Sequence, residues 1–471
     1  MNHMASFNDA RSSWGGPPDM SAWEALMWRA EGDLRTRSSG LVVEMLDSEP
    51  DWNRLVAAHE RVSLRIPRLR ERVVEPLLPL VSPAWSPDPH FDLGYHLQRV
   101  RLPGKGSDDD LFTFAASVAS RPLDPNRPQW EALLVSGLDG GRAAYLLKIH
   151  HSMTDGLGLL QLLDLTHGRS PIQEPPETTA MPARQKVVSP SSLLAQRLGE
   201  RIVRAPAELV RGTAHLLGRI AADPLGITTN ALRYGDSLRR VLASPDVERS
   251  PLLSEGGYGY HLLAHEVPLA SLKAAGKAAG GSVNDAFLAA LLGAVRRYHE
   301  HQGIEISHLP MAIPVSLRTD KDPMGGNKFA GARFVAPVGE PDPRRRIAAI
   351  HRFINDARAE PAIGFLDLIA PVLSRLPGPV LTELAGEMTG VSDLQASNLA
   401  GIGRTLYLAG ARVTHVFPMG PRPGVAAMVT MVSYDGTCCI GVNLNPDAIT
   451  DVTQFAQCLR EGFDEVLALA Q

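Results

Sequence analysis

Residues 168–190, GRSPIQEPPETTAMPARQKVVSP, divide an otherwise patterned chain. A run this rich in proline, threonine and charge has the makeup of a linker, not of a packed element. On both sides the hydrophobic spacing switches between the period of a strand and that of a helix. A chain of 471 residues already exceeds what one core usually holds. With 44% hydrophobic residues, wholesale disorder is excluded. The spacing predicts a mobile, Gly/Pro-rich tail over 1–20 and an N-terminal lobe over 21–167. A linker with crossover helices follows over 168–255, then a C-terminal lobe over 256–471.

In the first half, Ser21 and Glu24 form an S-x-x-E capping box that starts a helix running to about residue 31. Strands are predicted over 41–46, 97–102, 130–137 and 143–150, the last two joined by the turn Leu138-Asp139-Gly140-Gly141. Helices are predicted over 52–63, 111–120 and 156–165. The stretch 83–90 reads as turn. In the second half, strands are predicted over 261–267, 311–315, 333–338, 405–417, 425–433 and 438–443. Helices are predicted over 269–279, 284–299, 341–358 and 452–469. The fold class is α/β, with two lobes, each a mixed sheet flanked by helices.

A net charge of -4 argues against a basic nucleic-acid footprint. The three cysteines, Cys438, Cys439 and Cys458, make neither a disulfide framework nor a zinc spacing. They suit a reducing, cytoplasmic setting. The first twenty residues lack the apolar core of a signal peptide. No run reaches the roughly 18 apolar residues of a spanning helix, so any lipid contact is expected to be peripheral.

One constellation points to chemistry: His150-His151-Ser152-Met153-Thr154-Asp155-Gly156. It follows an apolar strand and precedes a helix, where site residues concentrate. Adjacent side chains of an extended chain face opposite ways, so one histidine is expected to pack and the other to be presented. A presented imidazole suits general-base work. Asp155 is placed to cap the helix or pair with a cation, and Gly156 lets backbone approach. The competing reading is a buried histidine pair with a capping aspartate. No G-x-S-x-G elbow, HExxH, P-loop or Rossmann glycine set competes. A base without an evident nucleophile, metal or cofactor suggests direct transfer of an activated acyl group to a hydroxyl. Ser152, beside the base, leaves a covalent route open.

HHSMTDG resembles the HHxxxDG motif of chloramphenicol-acetyltransferase-like, CoA-dependent acyltransferases, shared with peptide-synthetase condensation domains. Other segments resemble the bacterial wax ester synthase/diacylglycerol acyltransferase family. They are Met20–Glu24, the PLDxxRPLWE-like run Arg121–Glu131, the NDxxLA-like run Ser282–Leu288, the PVSLR run Pro314–Arg318, Gly326–Phe329, Ser397-Asn398 and Leu406–Ala411. The resemblance covers residues 19–469. It implies two acyltransferase lobes with an active-site tunnel between them. It also implies His151 as general base, with His150 and Asp155 as supports and Arg318 as the partner of Asp155. Acyl-CoA is implied as co-substrate and diacylglycerol or a fatty alcohol as acceptor. No metal and no resident cofactor are expected. Alternatives are another hydroxyl or amine acceptor, or a condensation-like enzyme using carrier-bound acyl groups.

Two departures from the family pattern stand out. The SN-x-PGP run is here Ser397-Asn398-Leu399-Ala400-Gly401-Ile402, without its prolines, and Gln129 stands where the family has an apolar residue. Ser397, Asn398 and Trp130 are candidate substrate contacts, Trp130 with core packing as its rival role. Asn284-Asp285 opens a long helix: either Ser282 or Asn284 simply caps it, or the pair helps to shape the tunnel wall or to hold the site. Residues 191–220 carry five arginines and two glutamates among helically spaced leucines. They read either as a lobe-connecting helix with a solvated basic face or as a peripheral contact with membrane or lipid droplets.

Overall fold

A computed structural model describes residues 14–78, 81–172, 187–197, 199, 247–254, 256–316, 327, 329–359, 370, 373, 376, 380, 382, 383, 386 and 390–470. Its helices begin where side chains accept the unpaired N–H groups of the first turn. Ser21 and Glu24 form a capping box on α1 (Ala22–Ala30). Strand β1 (Ser39–Leu46) follows, then α2 (Trp52–Arg65), capped by Asp51. A small ribbon pairs β2 (Glu71–Val74) with β3 (Ala84–Pro87). Next come β4 (Leu97–Arg101), α3 (Asp108–Ser120), β5 (Trp130–Ser136), β6 (Ala143–His150) and α4 (Gly156–Thr166).

The second half holds β7 (His261–Pro268), α5 (Leu269–Ala278), α6 (Val283–His301), β8 (Leu309–Ser316), β9 (Phe329–Ala336) and α7 (Pro343–Ala359). It ends with β10 (Leu394–Ile402), β11 (Tyr407–Leu408), β12 (Ala411–Met419), β13 (Ala427–Tyr434), β14 (Thr437–Leu444) and α8 (Val452–Leu467). Two six-stranded mixed sheets result, in the orders β11-β12-β1-β6-β5-β4 and β7-β14-β13-β10-β8-β9.

The sheets do not follow the division of the chain at residue 256. Strands β11 and β12 leave the second half and complete the first sheet, β12 pairing antiparallel with β1 from Leu41↔Met419 onward. Val413, Val416 and Phe417 are buried in the first core as a result. The second core lies between its sheet and α6, which is buried on nearly every side. Burial of Phe287, Leu288, Leu291 and Leu292 contributes about 1.5–3 kcal/mol each. At Gly462 an added Cβ would stand 2.4 Å from the Ala290 carbonyl oxygen, so glycine is what lets α8 lie against α6. Among the described residues no single helix is long and apolar enough to cross a membrane. Helices α5 and α6 pass together by composition but meet at 91°.

Three expectations need amendment. Residues 14–20 are not a tail. Trp14 is buried, its indole N–H donates to the Gly158 carbonyl (3.1 Å), and Met20 and Pro18 bond the β3 region. Residues 1–13 lie outside the described residues. The stretch 83–90, read as turn, holds strand β3. The Ser397 segment, where no strand was predicted, is strand β10, parallel to both β8 and β13. A register shift between Leu399 and Ile402 brings the backbones so close that a Cβ on Gly401 would stand 1.6 Å from the Ser433 carbonyl oxygen.

Candidate active site

Strand β6 ends at His150, and the chain then turns through residues 151–155 into α4. The two histidines part as their alternation requires. His150 is fully buried. Its Nδ1 accepts from the Ser152 N–H (3.0 Å) and lies 2.7 Å from the Ser152 hydroxyl. A backbone N–H can only donate, so the ring proton sits on Nε2 and points to Glu31 Oε2 at 3.1 Å. Burial pushes the Glu31 carboxyl up, but hydrogen bonds from His150 and the Ser38 N–H, with nearby positive charge, leave it below its ordinary value. Ser152 is itself fully buried, with its hydroxyl on His150, and is not among the residues that line the large cavity.

His151 lines a cavity of ≈ 550 Å³ between the two sheets. Its backbone N–H donates to Ser38 (2.8 Å). Its partner comes from the second half: Asn327 Oδ1 stands 3.0 Å from Nδ1, and Asn327 Nδ2 donates to the His151 carbonyl at 2.6 Å. A carbonyl oxygen can only accept, which fixes the orientation of the Asn327 amide. Its oxygen must then accept a proton carried on Nδ1. The lone pair of the neutral ring is therefore on Nε2. Burial pulls the His151 pKa below its ordinary value, and the bond to Asn327 and the charge of Asp155 offset part of that pull. A neutral imidazole held in this way accepts a proton at Nε2.

Glu24, in the first turn of α1, also hydrogen-bonds Asn327, and burial raises its carboxyl pKa. Asn327 was not singled out by reasoning from the residues, and Glu24 was read only as half of a capping box. The signal lay in the quoted motifs at Met20–Glu24 and Gly326–Phe329, but nothing local shows that positions 24, 151 and 327 meet.

Asp155 caps α4, its Oδ1 accepting from the Gly158 N–H at 2.9 Å. Gly156 opens the helix, and a Cβ there would stand 2.6 Å from the Leu399 side chain of β10, so this small residue lets the second sheet close on the motif. Arg318 lies outside the described residues. Ser397 and Asn398 both line the cavity, in register with Thr430 and Met431 of β13. Thr430 is buried there, and its hydroxyl has no partner among the described residues.

Three other candidates are elsewhere. Trp130 is buried in the first core, donates its indole N–H to the Leu69 carbonyl (2.8 Å) and stacks on His96 with ring centroids 4.8 Å apart. Asp285 completes the cap of α6, accepting from Ser282 N–H at 2.7 Å, with His351 Nδ1 2.7 Å away. Asn284 lies in that same first turn. These residues pack and cap; they do not line the cavity. Gln129 turns inward to donate to the Asp124 and Arg127 carbonyls, each at 2.7 Å, which is how a polar residue fits there. Among the described residues no cluster of potential metal ligands occurs.

The family model described as "Wax ester synthase/diacylglycerol acyltransferase catalytic domain" matches residues 20–287, and "WS/DGAT C-terminal domain" matches residues 325–466. This chain belongs to the wax ester synthase/diacylglycerol acyltransferase family. It is 41% identical over 452 residues to "Putative diacyglycerol O-acyltransferase Rv2484c" of Mycobacterium tuberculosis, covering 94% of this chain and 91% of that one. In fold it is similar to the wax ester synthase/diacylglycerol acyltransferase from Marinobacter aquaeolei VT8, with a TM-score of 0.63 at 20% identity, covering 96% of this chain and all of that one. The first condensation domain of the calcium-dependent antibiotic synthetase shares the two-lobed fold, with a TM-score of 0.58 at 16% identity and coverage of 96% and 95%. Membership makes the chain an acyltransferase and agrees with the resemblance drawn from its motifs.

Proposed function

We propose that this family member moves a fatty acyl group from acyl-CoA to the hydroxyl of diacylglycerol or a long-chain alcohol, giving triacylglycerol or a wax ester. The observation that carries the reading is His151 on the wall of a largely apolar cavity, with Nδ1 engaged by Asn327 and Nε2 left basic. Nε2 takes the proton of the acceptor hydroxyl as its oxygen attacks the thioester carbonyl. The tetrahedral intermediate expels the CoA thiolate, which takes the proton back from the imidazolium. Ester and free CoA leave, and no bond to the protein forms. The Thr430 hydroxyl, without a partner among the described residues, supplies a hydrogen bond for a polar atom of the bound substrate. Arg318, by the family pattern, holds Asp155.

The acceptors are insoluble in water and must be met at a lipid surface. We place that contact on the basic 191–220 segment of an enzyme working at the cytoplasmic face of the membrane or on lipid droplets. Liposome flotation with its arginines changed to glutamine tests this, and unchanged flotation removes it. The chemistry is tested by thiol release from palmitoyl-CoA with diacylglycerol, with 1-hexadecanol and without acceptor. Release that requires an acceptor and vanishes in His151→Ala is expected. An acyl-protein adduct seen by mass spectrometry contradicts direct transfer, and release confined to amine acceptors or carrier-bound donors contradicts the substrate class.

A further inference from the structure

A second cavity, of ≈ 280 Å³, shares a wall with the first. The wall is the connection from β12 to β13, residues 420–426. Its side chains alternate: Pro421 and Pro423 line the large cavity, Arg422 and Gly424 the small one, and Val425 borders both. Four arginines line the small cavity, Arg35, Arg37, Arg249 and Arg422, and among the described residues no aspartate or glutamate does. Two of them are already neutralised. Arg35 pairs with Asp33 (2.9 Å) and Glu383 (3.0 Å), and Arg249 with Asp393 (2.8 Å).

Arg37 and Arg422 have no ion pair among the described residues. Arg422 spends its Nη1 and Nη2 on the carbonyls of Val425 (2.7 Å) and Gly259 (2.8 Å), and its buried Nε has no partner among the described residues. Arg37 donates to the Ser120 carbonyl, and its buried Nε likewise has no partner among the described residues. A guanidinium keeps its charge at any ordinary pH, so two half-buried ones on one cavity lining favour an anion there. Phosphate oxygens match the guanidinium fork in geometry. Aromatic surface adjoins it: the Arg422 guanidinium lies 5.7 Å from the Tyr260 ring centroid, and Tyr258 is exposed on the lining.

We infer that the small cavity binds the phosphates of the acyl donor's adenine nucleotide, and that the acyl arm crosses the 420–426 wall into the large cavity. The inference rests on the reading of acyl-CoA as donor and assigns a place to its charged end.

The probe is adenosine 3′,5′-bisphosphate, the nucleotide half of CoA without thiol or acyl group, titrated calorimetrically into the full chain. Binding is expected in the parent, with a loss of about tenfold or more in affinity in both Arg422→Gln and Arg37→Gln. In steady state the same variants should raise KM for palmitoyl-CoA by about tenfold or more, leaving kcat and KM for phosphate-free palmitoyl-pantetheine unchanged. Should Arg422→Gln fail to melt cooperatively, Arg37→Gln, on a different segment, carries the test. Equal binding of the bisphosphate by parent and variants overturns the inference. So does binding to phosphatidylglycerol vesicles that both substitutions abolish when the bisphosphate does not bind, which would assign the pocket to a lipid headgroup. Bisphosphate binding lost in the variants of a chain that releases no thiol from any acyl-CoA upholds the nucleotide site while removing the transferase reading.

Discussion

Helices α4 and α6 begin alike and face different surroundings. Each has an aspartate in its cap: Asp155 accepts from Gly158 N–H at 2.9 Å, and Asp285 from Ser282 N–H at 2.7 Å. Each follows a turn and opens an apolar helix. In front of Asp155 lie His151, the wall of the large cavity and Leu399 from the other sheet. In front of Asp285 lies His351 on α7, and the carboxylate is sealed from solvent. A capping signal therefore marks where a helix starts. Whether the same carboxylate also serves chemistry depends on the strand end beside it and on what the rest of the chain brings opposite.

The largest effect expected from the α4 side is that of His151→Ala, which should cut thiol release by about 10²–10⁴-fold while the thermal midpoint holds. Wild-type rates in that variant would break the contrast at its root. Asn327→Ala should cost about tenfold or more in kcat, because the ring loses the partner that fixes its tautomer. The two caps can then be compared directly. Asp155→Asn keeps a capping oxygen and removes a charge that raises the His151 pKa, so the acid limb of kcat/KM should move further below the ordinary imidazole value of about 6.5. The sign follows from the base being active when neutral: a lower pKa keeps it active to lower pH. Asp285→Asn should leave that limb in place and cost about 1–3 kcal/mol of stability by denaturant titration. Equal shifts in the two variants would erase the distinction. The smallest effect is that of Trp130→Phe, which gives up the bond to Leu69 for about 1 kcal/mol and should leave turnover per folded molecule unchanged.

Helix starts were legible where a cap is a local device: Ser21 with Glu24 satisfies the first turn of α1 within four residues, and Ser282 was one of two candidate caps for α6, where the structure adds Asp285 as its partner. Strands β5, β6, β13 and β14 were legible for a similar reason, as apolar runs bounded by turns. Strand β10 was not. Ser397-Asn398-Leu399-Ala400-Gly401 has little β-branched character, and its place depends on parallel neighbours from β8 and β13. Nor does any local pattern send β12 to the sheet of the other half, since strand partners are chosen by long-range packing. Trp14 was hidden by its Gly/Pro-rich surroundings, although a lone tryptophan is a large apolar group that folding tends to bury. At the site, strand alternation required the two histidines to part. Asn327 was invisible in this role because it is 176 residues from His151 in the chain.

The central claim is that the base from one half is set by a residue from the other, and a double-mutant cycle on His151 and Asn327 tests it most directly. Thiol release from palmitoyl-CoA is measured in the parent, His151→Ala, Asn327→Ala and the double variant. If Asn327 acts through the imidazole, the double variant will be no slower than His151→Ala alone. Losses that multiply, with the double variant slower than His151→Ala by the full Asn327→Ala factor, would show that the two residues act independently and contradict the claim.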